Sequence, residues 1–172
     1  MRRSRWLRAV YCLVVALLSL GGQQAAAQDA KVDRLLIVEA GFYTARKTGE
    51  DQAPGTTMGH VNQLADVKFL EDPPDVTAKL GTSFGVRFRV VGDKRDATAK
   101  LRSVWKIPGS GIRNPKNNNV YRESISNFDV TIGNTTTRGY SFDETWEIAR
   151  GVWMLEIWQG DRRLLERSFM IE

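Results

Sequence analysis

The sequence predicts one all-β domain, a two-layer antiparallel sandwich, behind an N-terminal export signal. At least five segments alternate apolar and polar residues with a period of two, and nothing after residue 27 has a convincing helical period. Turn-forming residues recur about every 8–12 residues, the spacing of short strands in a sandwich. The first 27 residues differ sharply in composition from the rest.

Residues 1–27 have the three parts of a secretory signal peptide. The cationic stretch MRRSRWLR precedes an apolar run from Ala9 to Leu20, and Ala25 and Ala27 supply small side chains before a cleavage expected in front of Gln28. As a helix the apolar run spans about 18 Å, which is too short for a membrane core of about 30 Å. We therefore expect a cleaved signal rather than an anchor, no membrane span in the mature chain, and a periplasmic or secreted protein.

Loss of the signal changes both the charge and the cysteine content. The full chain has a net charge of +5, but four arginines and no acids lie in residues 1–27, so residues 28–172 carry only +1. Nucleic-acid binding needs clustered Lys and Arg on one face, so we expect no nucleic-acid partner. The single cysteine, Cys12, lies inside the apolar run, so the mature domain has no disulfide and folds by burial alone.

The first half of the mature chain contains two predicted strand regions. Residues 32–46 are rich in β-forming residues, and Gly41 fits either two short strands or one strand with a bulge. Residues 47–59 are polar and glycine-rich with Pro54, which is typical of an exposed loop. Residues 60–70 are weakly apolar and favour another strand.

The middle of the chain has the clearest period of two. Strands are predicted over 84–92, 99–107, 120–132 and 140–148, with a long connection at 108–119. The residues expected to face inward are Phe84, Val86, Phe88, Val90, Leu101, Ser103, Trp105, Ile107, Phe128, Val130, Ile132, Tyr140, Phe142, Trp146 and Ile148.

The C-terminal stretch 151–171 is predicted to be a β-hairpin. Trp153, Leu155 and Ile157 alternate with more polar positions, and Gly160-Asp161 lies where a tight turn is needed. The returning strand places Leu165, Phe169 and Ile171 on one face, interrupted by Arg167.

This hairpin also carries a resemblance. Gly151–Ile171 reads GxWxxEIWxGDRxLxExSFxI and resembles the closing hairpin of exported bacterial immunoglobulin-like domains. It is similar in particular to a bacterial family classed only as a domain of unknown function. The likeness is strongest over 145–172 and weaker over 84–107. It implies an immunoglobulin-like antiparallel β-sandwich over residues 28–172, an exported location and no assigned active site.

Residues for catalysis or metal binding are few. His60 is the only histidine, and the motifs HExxH, CxxC and GxSxG are absent. We therefore expect no metal, no cofactor and no catalytic residue, with His60 exposed in a loop.

Three glutamates lie in otherwise apolar segments: Glu144, Glu147 and Glu156. A carboxylate-based hydrolase that brings two of them together with His60 in a pocket is one alternative. The favoured interpretation is that they pair with arginines on neighbouring strands. The candidate arginines are Arg87, Arg89 and Arg102.

Two surfaces are candidate binding sites. Trp158 lies on the opposite phase from the core, and with Arg162 and Arg163 it would form a patch of the kind enriched at interfaces. The 108–119 loop offers three further residues on a rigid scaffold. They are Arg113, Lys116 and Asn118. The competing interpretations are a covered Trp158 and a merely solvated loop.

The function expected from these features is a non-catalytic, exported interaction module of the cell envelope. Its partner is expected to be an envelope protein or a glycan. A structural surface or pilus-type subunit is the main alternative, and it requires an unpaired edge strand.

Overall fold

The fold is described from a computed structural model over residues 30–70 and 78–172. The expected signal peptide, Cys12 and the cleavage site before Gln28 lie outside the described residues. The strands are β1 (Val32–Gln52), β2 (His60–Phe69), β3 (Ser83–Gly92), β4 (Thr98–Lys106), β5 (Ile112–Arg113), β6 (Val120–Tyr121), β7 (Glu123–Thr131), β8 (Thr135–Ser141), β9 (Gly151–Gln159) and β10 (Arg162–Ile171). In the described part of the chain the one helical element is a 3₁₀ turn, Thr145–Glu147.

Two four-stranded antiparallel sheets form the domain, as the period of two predicts. The first sheet has the order β2-β1-β3-β8 and the second has the order β10-β9-β4-β7. β5 and β6 form a separate two-stranded ribbon in the connection between β4 and β7. The prediction of an all-β immunoglobulin-like sandwich is confirmed.

The core is a cluster of aromatic rings between the sheets. Phe84 is fully buried at its centre, with six rings whose centroids lie 5.4–6.1 Å away. Tilted and edge-on contacts of this kind add to the area that each ring buries. The six rings belong to Phe42, Trp105, Tyr140, Phe142, Trp153 and Phe169.

β1 is a single long strand that serves two partners. Its first half pairs with β3, and its second half, from Tyr43 onward, pairs with β2. Gly41 pairs with Gly85 in regular register, so the bulge predicted there is wrong; the register shifts lie elsewhere along β1. The loop predicted over 47–59 is also wrong for residues 47–52, because ladder hydrogen bonds to β2 outweigh their low strand propensity.

The β1–β2 hairpin bends across the side of the sandwich. Tyr43 lies over Gly139 of β8, where an added Cβ would come within 2.1 Å of its hydroxyl. At the hairpin tip, the Ile125 N–H of β7 donates to the Gly55 carbonyl over 2.9 Å. The hairpin therefore connects the edge strand of one sheet with the edge strand of the other.

The predicted strand over 140–148 is only partly correct. β8 ends at Ser141, and the chain then forms the 3₁₀ turn. Tyr140 and Phe142 are buried as expected, whereas Trp146 is only partly buried against the core. The strand ends because Glu147 folds back and accepts the backbone N–H groups of Asp143 and Glu144, over 3.0 and 3.1 Å.

The C-terminal hairpin is confirmed. β9 and β10 pair from Gly151 to Ile171 with one register shift after Arg163. Gly160 has φ +56°, the left-handed conformation that a two-residue hairpin turn requires.

Candidate functional site

A polar groove of about 1130 Å³ opens between the β1–β2 hairpin and the second sheet. One wall is the end of β1 and the start of β2, and the other comprises parts of β8, β7, β4 and the end of β9. The bend in β1 creates this space, because it carries the hairpin past the edge of β8 to the tip contact on β7. The residues that line the groove include Asp51, Asn62, Arg102, Asn127, Arg138 and Trp158.

Trp158 lies at the end of the groove formed by the second sheet. Its ring is half-buried, and the guanidinium groups of Arg102 and Arg163 each lie 5.9 Å from a ring centroid. Arg102 is its cross-strand partner on β4, and Arg163 is its partner on β10. Two strand ladders therefore fix an indole between two cations, which stabilise it through its π face.

A buried carboxylate holds this cluster together. Glu156 is 3 % exposed and lies 3.1 Å from Lys106 and from Arg163. It also accepts the indole N–H of Trp158 over 3.1 Å. Burial alone would raise the pKa of Glu156, but the hydrogen bonds from these three donors outweigh it and hold the pKa below its usual value.

The patch predicted at the hairpin tip is therefore divided in two. Arg163 joins Trp158, whereas Arg162 donates to the backbone carbonyls of Val32 and Asp33 and ties the hairpin tip to the start of β1.

Arg138 lies in the groove without a charge partner. It shares the inward face of β8 with Tyr140, and its guanidinium stacks 3.6 Å from the ring centroid of Phe128. Its Nε is buried and has no hydrogen-bond partner among residues 30–70 and 78–172. The ion pairs of those residues do not include it. Burial lowers the pKa of Arg138 to about 10, so it stays charged at neutral pH.

Next to the groove is a smaller cavity of about 100 Å³, lined by hydroxyl groups and by the buried Glu147. Glu147 is 1 % exposed and accepts the Tyr140 hydroxyl over 2.8 Å and the Thr57 hydroxyl over 3.2 Å. Burial is the main reason that the pKa of Glu147 is raised, and the hydrogen bonds oppose it. Burial also raises the pKa of Tyr140, with a contribution from the nearby carboxylate.

The hydrolase arrangement is not formed by the residues proposed for it. His60 and Glu147 line the same small cavity, but His60 Nε2 lies 3.3 Å from Glu50 and forms no hydrogen bond with Glu144, Glu147 or Glu156. Glu144 faces Lys116, while Glu147 and Glu156 have the partners described above. The predicted pairing of these glutamates with Arg87, Arg89 or Arg102 is also wrong, since other cations and hydroxyl groups occupy them. His60 is only partly exposed, because the hairpin holds it against Glu50 rather than in a loop.

The loop at 108–119 is tied down by its own side chains. Arg113 donates to the Asn118 carbonyl and side chain over 3.0 and 2.8 Å, and Lys116 lies 3.4 Å from Glu144. All three predicted residues are exposed. Asn114, which the sequence did not single out, is buried and donates to the Thr57 carbonyl over 2.8 Å. The loop therefore supports the hairpin tip.

The sequence singled out Trp158 and Arg163 as candidate binding residues, and it did not single out Arg138 or Asn62. The alternation along β8 could have indicated Arg138. It lies two residues before the inward Tyr140, so a charged side chain occupies an inward position. Nothing in the sequence marks Asn62, whose position depends on the path of the hairpin.

Residues 30–70 and 78–172 contain no cluster of three or more His, Cys, Asp or Glu side chains that could hold a metal ion. None of their helical segments is long and apolar enough to cross a membrane.

The architecture defines an immunoglobulin-like β-sandwich with a polar groove on one side. A family model for a domain of unknown function, DUF3859, matches residues 31–171, and the chain belongs to that family. The chain is also similar to an immunoglobulin-like protein from Pseudomonas aeruginosa whose crystal structure is known. The identity is 24 %, covering 81 % of this chain and 97 % of that one, with a TM-score of 0.49. No curated protein matches the chain.

Proposed function

We propose that this domain is a non-catalytic binding module of the cell envelope, and that its groove holds a glycan. The observation that carries the proposal is the groove itself: about 1130 Å³ of space lined by polar side chains, with Arg138 on its inner side and the half-buried Trp158 at its rim, on the outer face of the second sheet.

The chemistry of the groove suits a sugar. A pyranose ring presents C–H groups on its faces, which stack on an indole, and hydroxyl groups at its rim, which pair with amides and carboxylates. Trp158 supplies the indole, while Asn127, Gln63 and Asp51 supply the polar groups. A pyranose that stacks on the indole takes the place of one of the two guanidinium contacts, both of which lie 5.9 Å from a ring centroid, at the outer limit of such interactions.

Binding of neutral and acidic oligosaccharides to the mature protein tests this function. We expect Trp158→Ala to weaken binding of any glycan ligand by about tenfold or more, since stacking on an aromatic ring is lost. Val152→Ala is the matched control, because Val152 lies on the same strand, is 48 % exposed and does not line the groove. Absence of binding to every glycan tested, or equal binding by W158A and the control, would reject the proposal.

The envelope location rests on the signal sequence in residues 1–27. Expression of the full chain in a bacterial host followed by cell fractionation checks it. We expect a mature protein that begins at Gln28, identified by N-terminal sequencing, in the periplasm or the medium. An unprocessed chain retained in the cytoplasm would contradict the export proposal.

A second candidate function, a structural subunit that pairs with a neighbouring strand, is favoured by β1. Of the described residues, 32–41 of β1 pair with β3 on one side and form no ladder on the other. Leu36, Ile37 and Val38 in this stretch are between 44 and 56 % exposed, and an apolar edge of this kind accepts an added strand. We would then expect oligomers on gel filtration that Ile37→Lys disperses. A monomer at all concentrations would reject this second function.

A further inference from the structure

We propose that Arg138 binds the carboxylate of an acidic sugar, so that the preferred ligand of the groove is an oligosaccharide that contains uronic acid. This inference rests on the proposed function and specifies its ligand class.

Arg138 forms no ion pair among the described residues. Arg138 is only partly exposed and its Nε is buried, and a guanidinium that has lost part of its solvent is normally paired, because taking a charge out of water is expensive unless an anion or several hydrogen bonds replace the solvent. Asp51 lines the same groove and acts on Arg138 at a distance, but its carboxylate accepts a hydrogen bond from Gln63 over 2.8 Å. No carboxylate of the described residues forms an ion pair with Arg138, so its N–H groups can still donate to a bound anion.

Arg138 also lies where a ligand in the groove can reach its N–H groups. Arg138 lines both the groove and the adjoining smaller cavity, and Phe128 covers one face of its guanidinium. Stacking leaves the N–H groups in the plane of the guanidinium, where two parallel hydrogen bonds to a carboxylate form best. A ligand in the groove is thus placed to supply the missing anion.

Asn62 supplies a hydrogen-bond acceptor in the same two cavities as Arg138. Asn62 lines the same two cavities, and its Oδ1 is buried without a hydrogen-bond partner among the described residues. Its Nδ2 donates to Asp143 over 2.6 Å, which fixes the direction of the amide. An acceptor without a partner and a cation without an ion pair that line the same cavities match a carboxylate with a hydroxyl group close by, which is the arrangement in a uronic acid.

Calorimetric titration with oligogalacturonate and with its methyl ester tests the inference. The ester keeps the shape of the sugar chain and removes its charge. We expect the wild-type protein to bind the acid more tightly than the ester. Arg138→Gln should weaken binding of the acid by about ten- to hundredfold and leave the ester almost unchanged.

Two variants serve as controls. Arg167→Gln removes an exposed arginine on β10 that does not line the groove, and should bind both ligands like the wild type. Arg138→Lys keeps the charge but loses the planar pair of donors, so an intermediate affinity is expected. Melting of R138Q should occur close to the wild-type temperature, because the loss of the stacking on Phe128 opposes the removal of an unpaired cation.

The outcomes separate this inference from the proposed function. If R138Q binds the acid as tightly as R167Q does, or if the wild type prefers the ester, the Arg138 assignment is wrong and glycan binding stands. If neutral sugars bind and acidic ones do not, the same conclusion follows. If no glycan of either kind binds, both are rejected.

Discussion

At the scale of single residues, the described part of the chain has two buried carboxylates, Glu147 and Glu156, whose pKa values are shifted in opposite directions. Glu147 lies among hydroxyl and backbone donors with no cation, and desolvation raises its pKa. Glu156 is equally buried, but Lys106 and Arg163 contact it and its pKa is lowered. The presence or absence of a cation in contact therefore determines the sign of each shift.

The raised pKa of Glu147 predicts a specific pH dependence of stability. Above its ordinary value of 4.5, the folded state holds this proton longer than the unfolded state, so the contribution of Glu147 to stability falls as pH rises across that interval. Glu147→Gln removes the titration and fits the same partners. We expect its melting temperature, relative to wild type, to rise between about pH 4 and about pH 8. A constant difference would contradict this, and the exposed Glu123→Gln is the control.

For Glu156 the sign is reversed. A lowered folded pKa contributes stability that is present above the unfolded pKa and is lost as pH falls through the folded one. Glu156→Gln should therefore destabilise the domain by about 1–2 kcal/mol at neutral pH, with the difference shrinking in acid. Urea denaturation at several pH values measures it. An effect that grows in acid would show that the ion pairs are not its cause.

At the scale of elements, the contacts that hold the β1–β2 hairpin against the sandwich include three that can be assigned to single residues. Tyr43 rests on Gly139, the Gly55 carbonyl accepts the N–H of Ile125, and Asn114 donates to the carbonyl of Thr57. Since the hairpin forms one wall of the groove, these contacts determine the width of the site.

The hydrogen bond from Asn114 to the Thr57 carbonyl is a contact that a single side-chain substitution removes. Asn114→Ala leaves the buried Thr57 carbonyl without its donor, and we expect a loss of about 1–3 kcal/mol in the free energy of unfolding. Backbone amides at residues 53–59 should exchange with solvent faster than in the wild type. The matched variant Asn117→Ala changes an exposed asparagine of the same loop and should have a smaller effect. Equal exchange in both variants would show that the tip does not depend on the loop.

At the scale of the whole molecule, residues 28–172 contain no cysteine, so this part of the chain has no disulfide and depends on its aromatic core for stability. Phe84 contacts rings from both sheets, including Trp153 of β9 and Trp105 of β4. Cooperative unfolding of the two sheets therefore depends on this cluster.

Phe84→Ala should cost about 3–5 kcal/mol, because it leaves a large cavity between the sheets that neighbouring rings cannot fill. Chemical denaturation followed by tryptophan fluorescence measures the change, since Trp105 and Trp153 both contact the ring. Val120→Ala, at a position 43 % exposed, should stay within about 0.5 kcal/mol of wild type. A small effect of F84A would mean that the sheets are not held together through this cluster.

The all-β class, the C-terminal hairpin and most inward positions could be predicted from the sequence alone, because side chains in a strand alternate between its faces whatever the strand pairs with. It also marked Trp158 as a residue on the outer phase. It failed where the backbone departs from that period, as at the 3₁₀ turn after β8, where hydrogen bonds to Glu147 replace the ladder.

The groove could not be predicted from the sequence, because it is formed by the tertiary arrangement of the strands. The bend of β1 brings Asn62 of β2 to the same cavities as Arg138 of β8, two residues 76 positions apart in the sequence. Whether a buried charge has a partner depends on distances between elements, and a periodic pattern along one strand contains no information about them. Alternation could place Arg138 inside the sandwich, and the surrounding strands left it without an anion.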